Sequence, residues 1–206
     1  KAPKEYFWAG VGDGISKAPE VEHAVAAAVE RGVELPHTAV LGAAIAASSK
    51  DAFYKYGEQG IKDVENGTVS KAIEEVALDI VVSTGYASNL VNQDDFYYNS
   101  CHAHAFYNAT TAIKKEKEPL HGQVVSFGVM VLHAYFNELE ELKKVAAFNK
   151  KLGLPVTLEE IGLKVSDAEK ITELAMQTNE YKQTPFDKEK YIEAIKLADK
   201  MGSENA

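Results

Sequence analysis

The chain has 206 residues, 46% of them apolar, enough to bury one large core or two small ones. Its 31 acidic against 22 basic residues leave a net charge of −9, which argues against a nucleic-acid surface. The single cysteine, Cys101, cannot form an internal disulfide, so a reducing cytoplasm is the expected compartment. The longest small apolar run, residues 39–47, is well short of the ~20 residues a spanning helix requires, and no membrane partner is expected.

In chain order, Gly10-Val11-Gly12-Asp13-Gly14 reads as a glycine-lined turn opening a helix. It is not a dinucleotide fingerprint, because the third glycine arrives one residue early and no βαβ unit follows. Residues 32–36 are irregular. Val69, Ile73, Val76 and Ile80 then keep helical spacing, with Lys71, Glu74, Glu75 and Asp79 on other faces. Residues 86–98 read as irregular around the polar break Asn92-Gln93-Asp94-Asp95. Lys114-Lys115-Glu116-Lys117 is a solvated loop. Residues 124–136 are apolar almost all round, which predicts a helix buried on every side in the middle of a bundle. Thr157-Leu158-Glu159-Glu160 and Ser166-Asp167-Ala168-Glu169 fit the capping box. Ala168, Ile171 and Ala175, then Tyr191, Ile195 and Ala198, repeat helical spacing on either side of an irregular stretch at 179–188. No alternating strand pattern is present. The pattern predicts an all-α fold: one domain over residues 1–206, a bundle of roughly eight to ten helices.

Asp13, His104 and His121 carry ligand chemistry. Asp and His are the donor types of a catalytic zinc or ferrous centre, and three protein ligands leave one position open. Asp13 alone could equally cap a helix. His102 and His104 point about 200° apart on a helix, so at most one faces a given site, and spacing does not say which. His121 stands at a helix entrance, where the positive end favours the neutral ring a metal needs. Gly122 beside it permits close approach of another group. His133 reads as a hydrogen-bonded core residue, and His23 and His37 have no ligand-type neighbours at useful spacing.

As a set these segments resemble the C-terminal metal-binding half of the glycerol dehydrogenase-like group, within the metal-dependent (iron-containing type) polyol and alcohol dehydrogenases. AGVGDGISK resembles the family's glycine–Asp segment, AHAFYN its Ala-His-Ala-x-x-Asn helix, and LHGQVVSFG its His-Gly-Glu-x-Val-x-Phe-Gly segment. GLPVTLEEIGL and TPFDKEKYIEAIKLADKMG resemble its closing segments, so the likeness runs from about Trp8 to Gly202. The resemblance implies the helical half of a dehydroquinate synthase-like two-domain enzyme, whose other, N-terminal α/β half binds NAD or NADP. It implies Asp13, His104 and His121 as metal ligands and catalytic residues, choosing His104 over His102. Zinc is favoured, with iron as the alternative, because the histidine that the iron branch adds four residues after the Asp is here Lys17. Asn108, one turn after His104, is a candidate to orient a ligand. The implied reaction is oxidation of glycerol or a similar small polyol or alcohol. The isolated helical half is expected to be inactive, and the full-length enzyme to be a homo-oligomer.

Two departures fall on the presumed substrate side. GYASNLVNQDDFYYNS stands where the family has a Gly-rich Phe-Glu-Ser segment, and Gln123 replaces a Glu. Glycerol-1-phosphate dehydrogenases and dehydroquinate synthases share the two-domain plan but need a basic phosphate pocket, for which few residues beyond Lys17 are available. A non-catalytic helical interaction domain, with the three residues structural, is the alternative of a different class.

Overall fold

The computed structural model describes residues 3–94 and 96–204, so Asp95 of the polar break lies outside the described residues. Eleven α-helices occur among them: α1 (Lys4–Gly14), α2 (Lys17–Glu30), α3 (His37–Glu65), α4 (Lys71–Leu78), α5 (Thr84–Val91), α6 (His102–Thr111), α7 (His121–Tyr135), α8 (Leu139–Leu152), α9 (Ala168–Ala175), α10 (Asn179–Gln183) and α11 (Lys188–Glu204). The all-α expectation holds, since the one extended pairing among described residues is an isolated bridge between Asn92 and Tyr97. Helices α4 and α5 are joined without a break by a π-helical turn, Asp79–Ser83. None of the described helices is long and apolar enough to cross a membrane.

Helix α7 is the centre of the bundle, as its apolar sequence predicts. Gly122 and every residue from Val124 to Tyr135 are buried, with α1, α6, α8 and α11 packed around them. Phe127 and Met130 of α7 join Val11, Phe53, Phe106, Leu142, Ile171 and Tyr191 in one continuous core. A second cluster, richer in alanine, lies between α2, α3 and α5 and takes in Leu132 from the far side of α7. Small side chains there let the helices approach closely.

Four local readings are corrected. Residues 10–14 are not a turn: they finish α1, and the chain turns only at Ile15 and Ser16 before α2. Glycine is poor in a lone helix, but here it is required by what packs against it. Residues 86–91 are helical, because Ala87 and Val91 are buried with α3 alanines, and burial carries a segment of weak intrinsic pattern. Residues 179–183 form α10, capped by the Thr178 hydroxyl, which accepts from the Tyr181 N–H. The cap before α9 lies two residues earlier than read: the Asp167 carboxylate accepts the Lys164 N–H at 2.8 Å, and a 3-10 turn, Val165–Asp167, precedes the helix. The Thr157–Glu160 box does form, although what it opens is one 3-10 turn, Glu159–Ile161.

Candidate metal centre

Asp13 occupies the last turn of α1, His104 the first turn of α6, and His121 the first position of α7. These elements are far apart in sequence and are held together by glycine. A Cβ on Gly12 would collide with the carbonyl oxygen of Gly122, and one on Gly122 with that of Ala9. Backbones of α1 and α7 therefore touch where any larger residue would part them. That contact sets Asp13 beside His121. Gln123 holds the entrance of α7 by accepting the Leu120 N–H through Oε1 at 2.8 Å. This departure from the family segment thus acts as a helix cap.

The three side chains converge. One ligand atom from each of Asp13, His104 and His121 lies within 4.8 Å of the others. Asp13 Oδ1 stands 3.1 Å from His121 Nε2 and 3.5 Å from His104 Nε2. The edge of Tyr107 packs against the His121 ring at 4.2 Å between centroids. Asp13 and His121 are 38% and 43% exposed against 18% for His104, so the group opens to one side.

Glu20 of α2 orients this arrangement, and sequence reasoning missed it. Its side chain is wholly buried, and Oε1 accepts the backbone N–H groups of Cys101 and His104, each at 2.9 Å. These are orphan donors at the start of α6, where Cys101 offers no cap of its own. Oε2 lies 2.5 Å from His104 Nδ1, which it fixes as the N–H, leaving Nε2 turned toward Asp13. Asn108, the residue suggested for this task, makes no side-chain hydrogen bond to either histidine among the described residues. Nothing in the local sequence sets Glu20 apart from Glu22, two residues on; only its position beside the start of α6 does.

Burial opposes charge on His104, but the Glu20 charge and the hydrogen bonds its ring donates to Asp13 and Glu20 outweigh it, pushing its pKa up to about 10. Burial likewise opposes charge on Asp13, and its bonds with the two histidines reverse this and hold the carboxyl well below the usual range. Asp13 is thus an anion facing a protonated His104.

Lys17 stands next to this group, buried to 5% exposure. Its ammonium donates to Asn99 Oδ1 at 2.7 Å and to the Asn99 carbonyl at 3.2 Å, and Asn99 in turn donates to the Tyr97 hydroxyl. Burial pushes the Lys17 pKa down, against the pull of the Glu20 and Asp13 charges.

The other histidines lie elsewhere. His102 is buried among the rings of Tyr135, Phe136, Phe186 and Tyr191, and burial pushes its pKa down to about 3. His133 is hydrogen-bonded to Glu138 at 2.6 Å. His23, which had no useful neighbour in sequence, shares that carboxylate at 3.2 Å and stacks on Phe136.

No family model matches the chain. It is 27% identical over 177 residues to hydroxycarboxylate dehydrogenase A of Escherichia coli, covering 86% of this chain and 47% of that protein. It is 28% identical over 215 residues to glycerol dehydrogenase of Thermotoga maritima, covering 98% of this chain and 55% of that one. The crystal structure of glycerol dehydrogenase from Schizosaccharomyces pombe superposes with a TM-score of 0.81 at 25% identity, over 98% of this chain and 52% of the other. The chain thus spans about half the length of the relatives it matches. It is similar to glycerol dehydrogenases, and its helical fold matches a C-terminal domain of such proteins.

Proposed function

We propose that residues 1–206 form the metal-binding catalytic domain of an oxidoreductase acting on a small alcohol or polyol, glycerol being one candidate, with NAD or NADP as hydride acceptor. The observation that carries this reading is the convergence of Asp13, His104 and His121, with Glu20 fixing the ring of His104. One carboxylate and two imidazoles suit zinc and leave a position for substrate. Iron is the less favoured occupant, since Lys17 offers no further imidazole. A metal held by Asp13, His104 and His121 would supply Lewis acidity to a substrate hydroxyl, and the nicotinamide would be the hydride acceptor.

The chain's own contribution is placement. Asp13 and His121 line the exposed side of the site, where substrate enters, and His104 forms its buried wall. Glu20 accepts the hydrogen bond from the Nδ1–H of His104, so that Nε2 is left to face a metal. The described residues contain no βαβ unit. The reading therefore assigns nicotinamide binding mainly to a nucleotide domain outside this chain, and expects residues 1–206 alone not to turn over.

The test is metal stoichiometry. After incubation with zinc and desalting, the chain is expected to retain one equivalent, and the Asp13→Ala variant essentially none. Zinc retained unchanged by the variant would leave the three residues a structural polar cluster.

A further inference from the structure

An imidazole holds a metal well when its ring is fixed, and the usual device is a hydrogen bond from the second ring nitrogen. His104 has that bond, to Glu20. His121 does not. Among the described residues its ring has one hydrogen-bond partner, Asp13, and that contact is made by Nε2, the nitrogen facing the metal position. The side chain of His121 is also 43% exposed. Nothing polar outside the ligand group itself opposes a turn of this ring.

Tyr107 meets the ring instead. The two centroids lie 4.2 Å apart and the planes stand at 84°, a T-shaped contact. Tyr107 follows His104 by three residues on α6, so the two share one face of that helix. Its place relative to α7 is set by backbone: a Cβ on Gly128 of α7 would come within 2.6 Å of the Ala103 carbonyl oxygen of α6. The helices therefore touch one turn before Tyr107, and the tyrosine ring packs against the main core as well. Helix α6 thus supplies one ligand and a firm wall for another. Any apolar side chain would fill the space, but only a planar ring gives a right-angle contact of this kind.

We infer that Tyr107 is a positioning residue for His121: its ring, by shape, holds the imidazole in the orientation that aims Nε2 at the metal position. The inference rests on the metal-centre reading above. Because the contact is between ring planes, the tyrosine hydroxyl is not required.

The experiment uses the whole chain and cobalt(II), whose visible bands report the number and arrangement of ligands. Tyr107→Leu stays apolar but has no plane. Its cobalt affinity is expected to fall about tenfold, and its bands at saturation to weaken or shift. Tyr107→Phe keeps the ring and is expected to retain the affinity and spectrum of the unaltered chain. Tyr107→Met, closer in volume and equally without a plane, gives the same reading if Tyr107→Leu folds poorly. Phe106→Leu controls for general loosening, since Phe106 is fully buried on the same helix against Phe127. That variant is expected to unfold at lower urea with unchanged bands. The inference is overturned if the variants without a ring bind cobalt as the unaltered chain does, or if Tyr107→Phe is impaired as much as they are. Bands altered to the same extent in Phe106→Leu would overturn it too. Failure of the metal reading is recognised separately, since the unaltered chain would then develop no cobalt bands at all.

Discussion

Gly12 of α1 and Gly122 of α7 stand backbone to backbone, with no room for a Cβ on either. Because the obstacles are main-chain oxygens, neighbouring side chains cannot yield by changing rotamer. Gly122→Ala is expected to destabilise the fold by about 3 kcal/mol or more, as overpacking against rigid atoms does. It is also expected to weaken zinc binding by moving His121 away from Asp13. Gly85 is the control: nothing lies within 4 Å of its would-be Cβ, so Gly85→Ala in α5 is expected to stabilise by about 0.5–1 kcal/mol. Urea unfolding of the two variants checks both signs, and equal effects would refute the distinction.

Glu20→Gln separates the charge of Glu20 from its shape. The amide oxygen can still accept the Cys101 and His104 N–H groups, which leaves an NH2 facing His104 Nδ1. That reverses the tautomer and puts the proton on Nε2, where the metal needs a lone pair. Zinc affinity is expected to fall by about 10- to 100-fold with helix content retained. Chelator competition measures the first and circular dichroism the second.

Metal uptake should be proton-linked. The pKa of His104 is pushed up to about 10 in the metal-free protein, whereas the ligand form of the ring has lost that proton. Zinc affinity is therefore expected to rise with pH by about tenfold per unit through neutrality, with release of a proton on binding. Calorimetry in buffers of different ionisation enthalpy reads the proton directly, and a pH-independent affinity would contradict the assignment.

Asp79 gives a pH effect of stability remote from this site. It begins the π-helical turn, is 4% exposed, and its Oδ2 has no hydrogen-bond partner. Burial raises its pKa from 3.8 to about 6. Below pH 3.8 the carboxyl is protonated in both states. As pH rises toward 6 the unfolded chain loses the proton first, so stability is lost across that window. Asp79→Asn is expected to stabilise by about 1–3 kcal/mol at pH 7, a gain that vanishes near pH 4. Thermal unfolding at the two pH values decides the matter.

Sequence alone determined the helical class and the central helix, because a continuous apolar run such as Val124 to Tyr135 admits no exposed face. Motif likeness also picked out Asp13, His104 and His121, whose residue types already carry ligand chemistry. It misread the glycines around Asp13 as a turn, since the reason for Gly12 is the backbone of α7 and that for Gly14 the ring of Phe53 in α3, both distant in sequence. It passed over Glu20, one acid among several on α2, whose role exists only where α2 meets the start of α6. Lys17 was visible as a departure, yet its burial against the neutral Asn99 was not. Local periodicity reports which face of a helix is apolar. Which polar groups meet across helices, and which are left without a counter-charge, depends on how the helices pack, and only the tertiary structure decided that.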